Sequence, residues 1–288
     1  MLWLLLSLLS AVALATADAV TKRYFGDLNP FEMGLVRTLF GAPWLLAVLF
    51  FIPWVRPDGV FYLCVAAGLP LEVLALYYYM KAIKIAPLSL TLPFLAFTPA
   101  FMIFTGWLIL GELPSLGGLA GIAVIVAGAY CLNLSAAGAG YLAPLRAIFN
   151  ERGSLLMLLV ALIYAITSVI GKLAVLHANP YVFSVVYFNL LAALLLCVAP
   201  LTRTVRARII LSRPLAGVLL GGICAVMILS HLVAIVRIDA AYMIAVKRTS
   251  LLFGVLYGGL WFKEGHMAER LLGALLMLGG VILIAWRG

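Results

Sequence analysis

The chain has 288 residues, of which 66% are apolar and only 10% charged, and it carries a net charge of +9. An ordinary soluble domain has about 25% charged residues and under half apolar ones, so water is excluded as the solvent for most of this surface. The basic residues sit singly or in short connections rather than in one patch, which argues against a nucleic-acid partner.

Apolar windows of about 20 residues, each long enough to cross roughly 30 Å of hydrocarbon, recur from end to end. With polar, Pro and Gly breaks as punctuation, the pattern predicts spans over 2–21, 31–52, 59–80, 86–108 and 116–134, then 154–174, 181–201, 215–236, 239–262 and 270–286. The first has cleavage-like small residues at Ala15-Thr16-Ala17 but no basic region before it, and is read as a helix rather than a signal peptide. Between the fifth and sixth spans lies a linker, 135–153, with Ala136-Ala137-Gly138-Ala139-Gly140 followed by Arg146, Asn150, Glu151 and Arg152. It divides the chain into halves at 1–134 and 154–288. Cys64, Cys131, Cys197 and Cys224 each fall inside a span without a CxxC pair, and three scattered histidines make no metal-ligand cluster, so no metal or other cofactor is expected.

The halves repeat one another. Lys22 precedes Asn29-Pro30 by the same interval as Lys172 precedes Asn179-Pro180, an offset of 150, and an offset of 152 aligns Glu112 with Glu264, Gly121 with Gly273 and Gly128 with Gly280. An odd number of spans per repeat makes the second half enter from the opposite side. The expected fold is therefore all-α: ten transmembrane helices in two inverted five-helix repeats, with a cavity between the halves near the midplane. No obligate protein partner is needed, since one chain holds both halves. Lys and Arg concentrate in the connections after the odd-numbered spans, including Lys22, Arg23, Lys81, Lys84 and Arg213. The positive-inside rule then puts both termini outside the cytoplasm.

These features resemble the drug/metabolite transporter superfamily, in particular its ten-helix EamA-type branch. Lys22, Asn29-Pro30 and Arg37 within "LVRTLFGA" are similar to that family's first-half positions. Thr98-Pro99 followed by "GWLILGE", and "GGLWFKEGHMAERLLGALLMLGGVILI", look like its paired signatures at the end of each half. The resemblance implies a secondary carrier that often exports small metabolites, a central cavity lined mainly by spans 1, 3, 4, 6, 8 and 9, and cytoplasmic termini, against the charge count. In the distantly related organic-phosphate translocators of plastids, a Lys-Arg pair in the ninth span contacts substrate phosphate; Lys247-Arg248 looks like it.

A charge near the bilayer centre costs between about 2.5 and more than 10 kcal/mol, so each one needs a partner or a watery cavity. The candidates are Asp18, Arg37, Glu72, Lys247 and Arg248, with His231 the only histidine inside a span. Three positive and two negative groups leave one surplus positive charge, best relieved by a carboxylate or phosphate on Lys247 and Arg248. The competing role for that pair is structural, snorkelling or pairing with Glu72 or Asp18. Arg37 reads as structural, and Asp18 stands four residues before Lys22, where an i,i+4 pair would hold it.

Glu72 lies deep in span 3 after Pro70 and before Tyr77, Tyr78 and Tyr79. A carboxylate balanced between desolvation and a cationic neighbour can bind and release a proton, so Glu72, with Asp18 second, is the candidate for proton coupling. Tyr78, Tyr79 and His231 are candidate substrate contacts, the phenols offering an apolar wall with a polar tip. Pro87, Pro93 and Pro99 in span 4 have no counterpart in span 9; interior prolines favour kinks, making span 4 a gate through Pro93 and Pro99. Glu112 and Glu264 read as boundary residues, and Gly117, Gly121, Gly128, Gly273, Gly279, Gly280 and Gly254-x-x-x-Gly258 as packing tracks.

The expected function is export or exchange of a small organic anion or zwitterion, such as an amino acid or a phosphorylated or carboxylated metabolite. The motive force would be protons or a counter-substrate, and the place a bacterial-type inner membrane. Efflux of lipophilic cations is the alternative. A membrane enzyme acting on lipid phosphate would need a nucleophile, an acid–base pair or an acidic metal motif, and the sequence offers none. A cargo-free assembly subunit would use its buried charges only to pair helices.

Overall fold

The computed structural model describes residues 1–52, 54–86, 91–131, 152–202, 205, 213–262 and 267–287. Pro87, Lys263, Glu264 and nearly all of the linker lie outside the described residues.

In the first half, α1 spans Leu2–Phe25, α2 Pro30–Ala47 with a 3-10 turn Val48–Phe50, and α3 Gly59–Ile85. A 3-10 segment Leu92–Phe97 leads into α4, Thr98–Leu110, and α5 is Leu116–Cys131. The second half holds α6 Arg152–Leu176, α7 Pro180–Thr202 and α8 Pro214–Ile235, then α9 Ala240–Lys247, α10 Ser250–Phe262 and α11 Met267–Arg287. Helices are the only regular structure among the described residues. Six of them (α1, α2 with its turn, α3, α6, α7 and α8) are long and apolar enough to cross a membrane. Shorter apolar helices stand where spans 4, 5 and 10 are expected. Large apolar side chains such as Leu5, Leu63, Phe104, Leu108 and Ile282 cover the outside, a surface suited to acyl chains.

The Asn-Pro motif of each half starts a helix. Asn29 accepts from the Glu32 backbone N–H at 2.9 Å while Glu32 returns a bond to the Asn29 N–H at 2.7 Å, a capping box with Pro30 in the first turn. Asn179 accepts from the Val182 N–H at 2.8 Å. Each cap satisfies a backbone donor that would otherwise be stranded where water is scarce.

In space the halves interlock. The most extensive helix pairings are α5 with α11, α3 with α6 and α1 with α8. The first helix of each half thus lies on the third helix of the other half, and α1 touches its own neighbour α2 only lightly. The α5–α11 pair is close because it is glycine-lined: a Cβ on Gly121 would stand 2.9 Å from the Gly280 carbonyl, and one on Gly128 would stand 2.8 Å from that of Gly273. Gly279, expected in the same track, faces open space instead; adjacent helical residues point about 100° apart, and Gly280 holds the inner face.

Span 9 is not the continuous helix that the sequence predicts. It is interrupted at Arg248-Thr249, between α9 and α10, with no proline present. The backbone tightens there into i→i−3 bonds, Thr249 N–H to the Val246 carbonyl and Leu251 N–H to the Arg248 carbonyl, both 3.0 Å. The Thr249 hydroxyl takes the same Val246 carbonyl at 2.8 Å, competing with the helix ladder. Span 4 breaks at the equivalent place. Thr98 opens α4 as Ser250 opens α10, 152 residues later, and the Thr98 hydroxyl donates to the Leu95 carbonyl at 2.7 Å. The prolines of span 4 therefore do not make it the odd half.

Candidate functional site

A cavity of about 180 Å³ lies between the halves. Its wall draws on α1, α2, α3, α6, α7, α8 and the α9–α10 break, and includes Arg37, Glu72, Tyr79, Tyr164, Thr167, Tyr187, Met227, His231, Lys247 and Arg248. No described residue of span 4 lines it, a departure from the lining that the family resemblance implies. The 3-10 segment and α4 pack on α6 and α9, which leaves them behind the wall, while α2 and α7 supply Thr38, Phe183 and Phe188 in their place.

The buried charges divide into committed and uncommitted groups. Arg37 Nη1 on α2 donates to Asp18 Oδ1 on α1 at 2.7 Å, and the Tyr79 hydroxyl on α3 donates to Asp18 Oδ2 at 2.6 Å. Both carboxylate oxygens of Asp18 are thus engaged, and the partner is Arg37 rather than Lys22, because the carboxylate turns toward the other helices and not along its own. Lys172 on α6 donates to Glu112 and to the Ile238 carbonyl, the latter at 2.7 Å. Glu112 accepts from the Ala240 N–H at 2.9 Å with its other oxygen. Glu112 is accordingly more than a boundary residue: it joins the end of α4 to α6 and to the start of α9.

Glu72, Lys247 and Arg248 make no ion pair among the described residues. Glu72 shares the cavity wall with the Thr167 hydroxyl. Lys247 Nζ stands 3.3 Å from His231 Nδ1 and 3.4 Å from Met227 Sδ, neither of them a carboxylate. Arg248 donates through Nη2 to the Thr98 hydroxyl at 2.8 Å. Its Nε, also buried, is the one side-chain nitrogen or oxygen among the described residues that is buried without a partner. With Asp18 and Arg37 cancelling, and Lys172 and Glu112 likewise, Lys247 and Arg248 face one carboxylate, Glu72. The surplus positive charge read from the sequence survives, and it sits in the cavity wall.

The aromatic wall differs from expectation. Of the three adjacent tyrosines only Tyr79 reaches the cavity. Tyr78 packs against the apolar core and Tyr77 is exposed, as the 100° step between neighbours requires. The aromatic residues that sequence reasoning missed are Tyr164 on α6, 6.3 Å from the Tyr79 ring, and Tyr187 on α7, stacked on Phe183 at 4.8 Å. The repeat carried a signal for the second: adding the first-half offset of 150 to Arg37 gives Tyr187. Pro93 lies in the 3-10 segment, and Pro99 lies in the first turn of α4, outside the cavity wall. Cys224, read as packing, lines the cavity on the same face of α8 as Met227 and His231.

No curated protein matches the chain. A solved crystal structure of a protein superposes with a TM-score of 0.76 over 98% of this chain and 98% of its own, at 17% identity; that likeness is one of fold. The model of the EamA-like transporter family matches residues 1–134 and 151–286. Two family units cover the two halves of the sequence, and the chain belongs to the EamA-like transporter family.

Proposed function

We propose that this membrane transporter is a secondary carrier of a small organic anion or zwitterion, and that the cargo binds in the cavity with its anionic group on Lys247 and Arg248. The observation that carries this reading is the presence of two buried basic side chains in a cavity wall whose one acidic side chain among the described residues, Glu72, forms an ion pair with neither. Burying a charge is unfavourable unless it is paired, so the arrangement is relieved when an anion arrives. Glu72 with Thr167 supplies the opposite pole, where the ammonium of a zwitterion such as an amino acid would sit. The tyrosine and phenylalanine faces suit an apolar side chain.

In this reading all ten predicted spans cross the membrane, a bacterial-type inner membrane, and the carrier exports or exchanges its cargo. Proton coupling rests on Glu72, which makes no ion pair among the described residues, rather than on Asp18, whose two oxygens are taken by Arg37 and Tyr79. The paired breaks in spans 4 and 9 serve as hinges, with Pro93 and Pro99 holding the first of them open to bending.

The test is a thermal-shift screen of the purified protein in detergent with L-leucine, L-phenylalanine, succinate, glycerol 3-phosphate and tetraphenylphosphonium, beside a Lys247→Ala control. Stabilisation by a zwitterion or anion that the control loses is the expected result. Stabilisation by tetraphenylphosphonium alone, equal in the control, would replace the proposal with efflux of lipophilic cations.

A further inference from the structure

The unpartnered Nε of Arg248 requires an explanation, since buried donors are almost always bonded. Arg248 stands at the break between α9 and α10 and lines the cavity. Its other end is held: Nη2 donates to Thr98 Oγ1 at 2.8 Å, and that hydroxyl spends its own proton on the Leu95 carbonyl at 2.7 Å. With its hydrogen directed at Leu95, the hydroxyl can offer Arg248 only a lone pair. Thr98 is fully buried, and its place at the break in span 4 is fixed by the same bond. The guanidinium is planar and rigid, so this anchor at one end and the side-chain stem at the other restrict the directions open to its remaining N–H groups.

We propose that Thr98 is the residue that positions Arg248 for the cargo. It holds the guanidinium by one nitrogen so that Nε–H points at the place where a substrate oxyanion binds. Thr98 itself touches no cargo, for it lies behind the cavity wall. The role rests on the reading of the cavity as an anion site, and it adds a physical link: the anion bound to Arg248 is one hydrogen bond from the break in span 4.

The experiment uses the full chain in nanodiscs with arginine labelled at Nε, and acetate as the carboxylate probe. The Nε–H resonance of Arg248, identified by its loss in Arg248→Gln, is followed as acetate is added. It should move on titration in the wild type and in Thr98→Ser, with dissociation constants within about twofold of each other. In Thr98→Val, which keeps the shape and removes the acceptor, binding should weaken about tenfold, the size expected for a hydrogen bond to a charged group. Thr98→Ala repeats the comparison should the valine variant fail to fold. Melting temperatures without acetate should stay close to the wild type in the variants compared. An unchanged acetate affinity in Thr98→Val or Thr98→Ala, with Arg248 still responding, would overturn the role of Thr98 and leave the anion site standing. A wild-type Nε resonance indifferent to acetate would overturn both.

Discussion

Arg37 on α2 and Asp18 on α1 stand 2.7 Å apart in the interior, and Tyr79 on α3 closes the second oxygen of the carboxylate at 2.6 Å. Three helices of the first half, which pack more on the second half than on one another, are tied at this one point. Removing one partner of a buried ion pair leaves the other charged and unpaired, a loss of about 3–5 kcal/mol. Asp18→Asn should therefore melt well below the wild type. Adding Arg37→Gln to it should recover part of the loss, because the stranded cation is gone. Melting curves of the two variants in detergent decide the matter, and a double variant less stable than Asp18→Asn would contradict the account.

Lys247 should behave in the opposite way. Within hydrogen-bonding reach its Nζ has a histidine nitrogen and a thioether but no carboxylate, so its burial is poorly repaid. Lys247→Met keeps the length and apolar stem. It should melt at or above the wild-type temperature while losing stabilisation by any carboxylate or zwitterion that stabilises the parent. This is the stability that active sites give up for function. A structural role would show itself as a large drop in melting temperature.

The glycine seam between α5 and α11 yields a paired prediction. Gly121→Ala would put a methyl 2.9 Å from the Gly280 carbonyl, forcing the helices apart at a cost of about 1–3 kcal/mol. Gly279→Ala meets nothing within 4 Å and should be neutral or gain up to about 1 kcal/mol from the helix preference of alanine over glycine. Measured together by thermal melting, the two separate close packing from any general effect of the substitution.

The sequence was most legible where residue types are rare for their surroundings. Glu72, Lys247 and Arg248 stand out because a charge in an apolar span is costly, and all three line the cavity. The Asn-Pro pairs at 29–30 and 179–180 announced the repeat because their capping chemistry is local. What periodicity could not settle was direction. Spans that are apolar all round give no inward face, so the sequence does not distinguish Tyr77, Tyr78 and Tyr79, and nothing in it marks Tyr164 as a cavity residue. The break in span 9 is silent in the sequence for a related reason: no proline marks it, and Thr249 there bonds through its side chain to the Val246 carbonyl. The alignment of Thr98 with Ser250 by the repeat was the available hint.

Proton coupling offers the last test. Among the described residues Glu72 is the acidic group of the cavity wall, and its neighbours there are a hydroxyl, Thr167, and the uncommitted Lys247. Glu72 is left open to the cavity without an ion-pair partner, whereas both carboxylate oxygens of Asp18 are taken, by Arg37 and by the Tyr79 hydroxyl. In proteoliposomes loaded with a cargo found by the stabilisation screen, an imposed pH gradient should accelerate efflux by the wild type. Glu72→Gln should keep exchange of cargo for cargo and lose the acceleration, because the amide preserves the shape and hydrogen bonding but carries no exchangeable charge. If Glu72→Gln responds to the gradient as the wild type does, the proton moves elsewhere or not at all, and Glu72 is left as the binding partner for the cargo's ammonium.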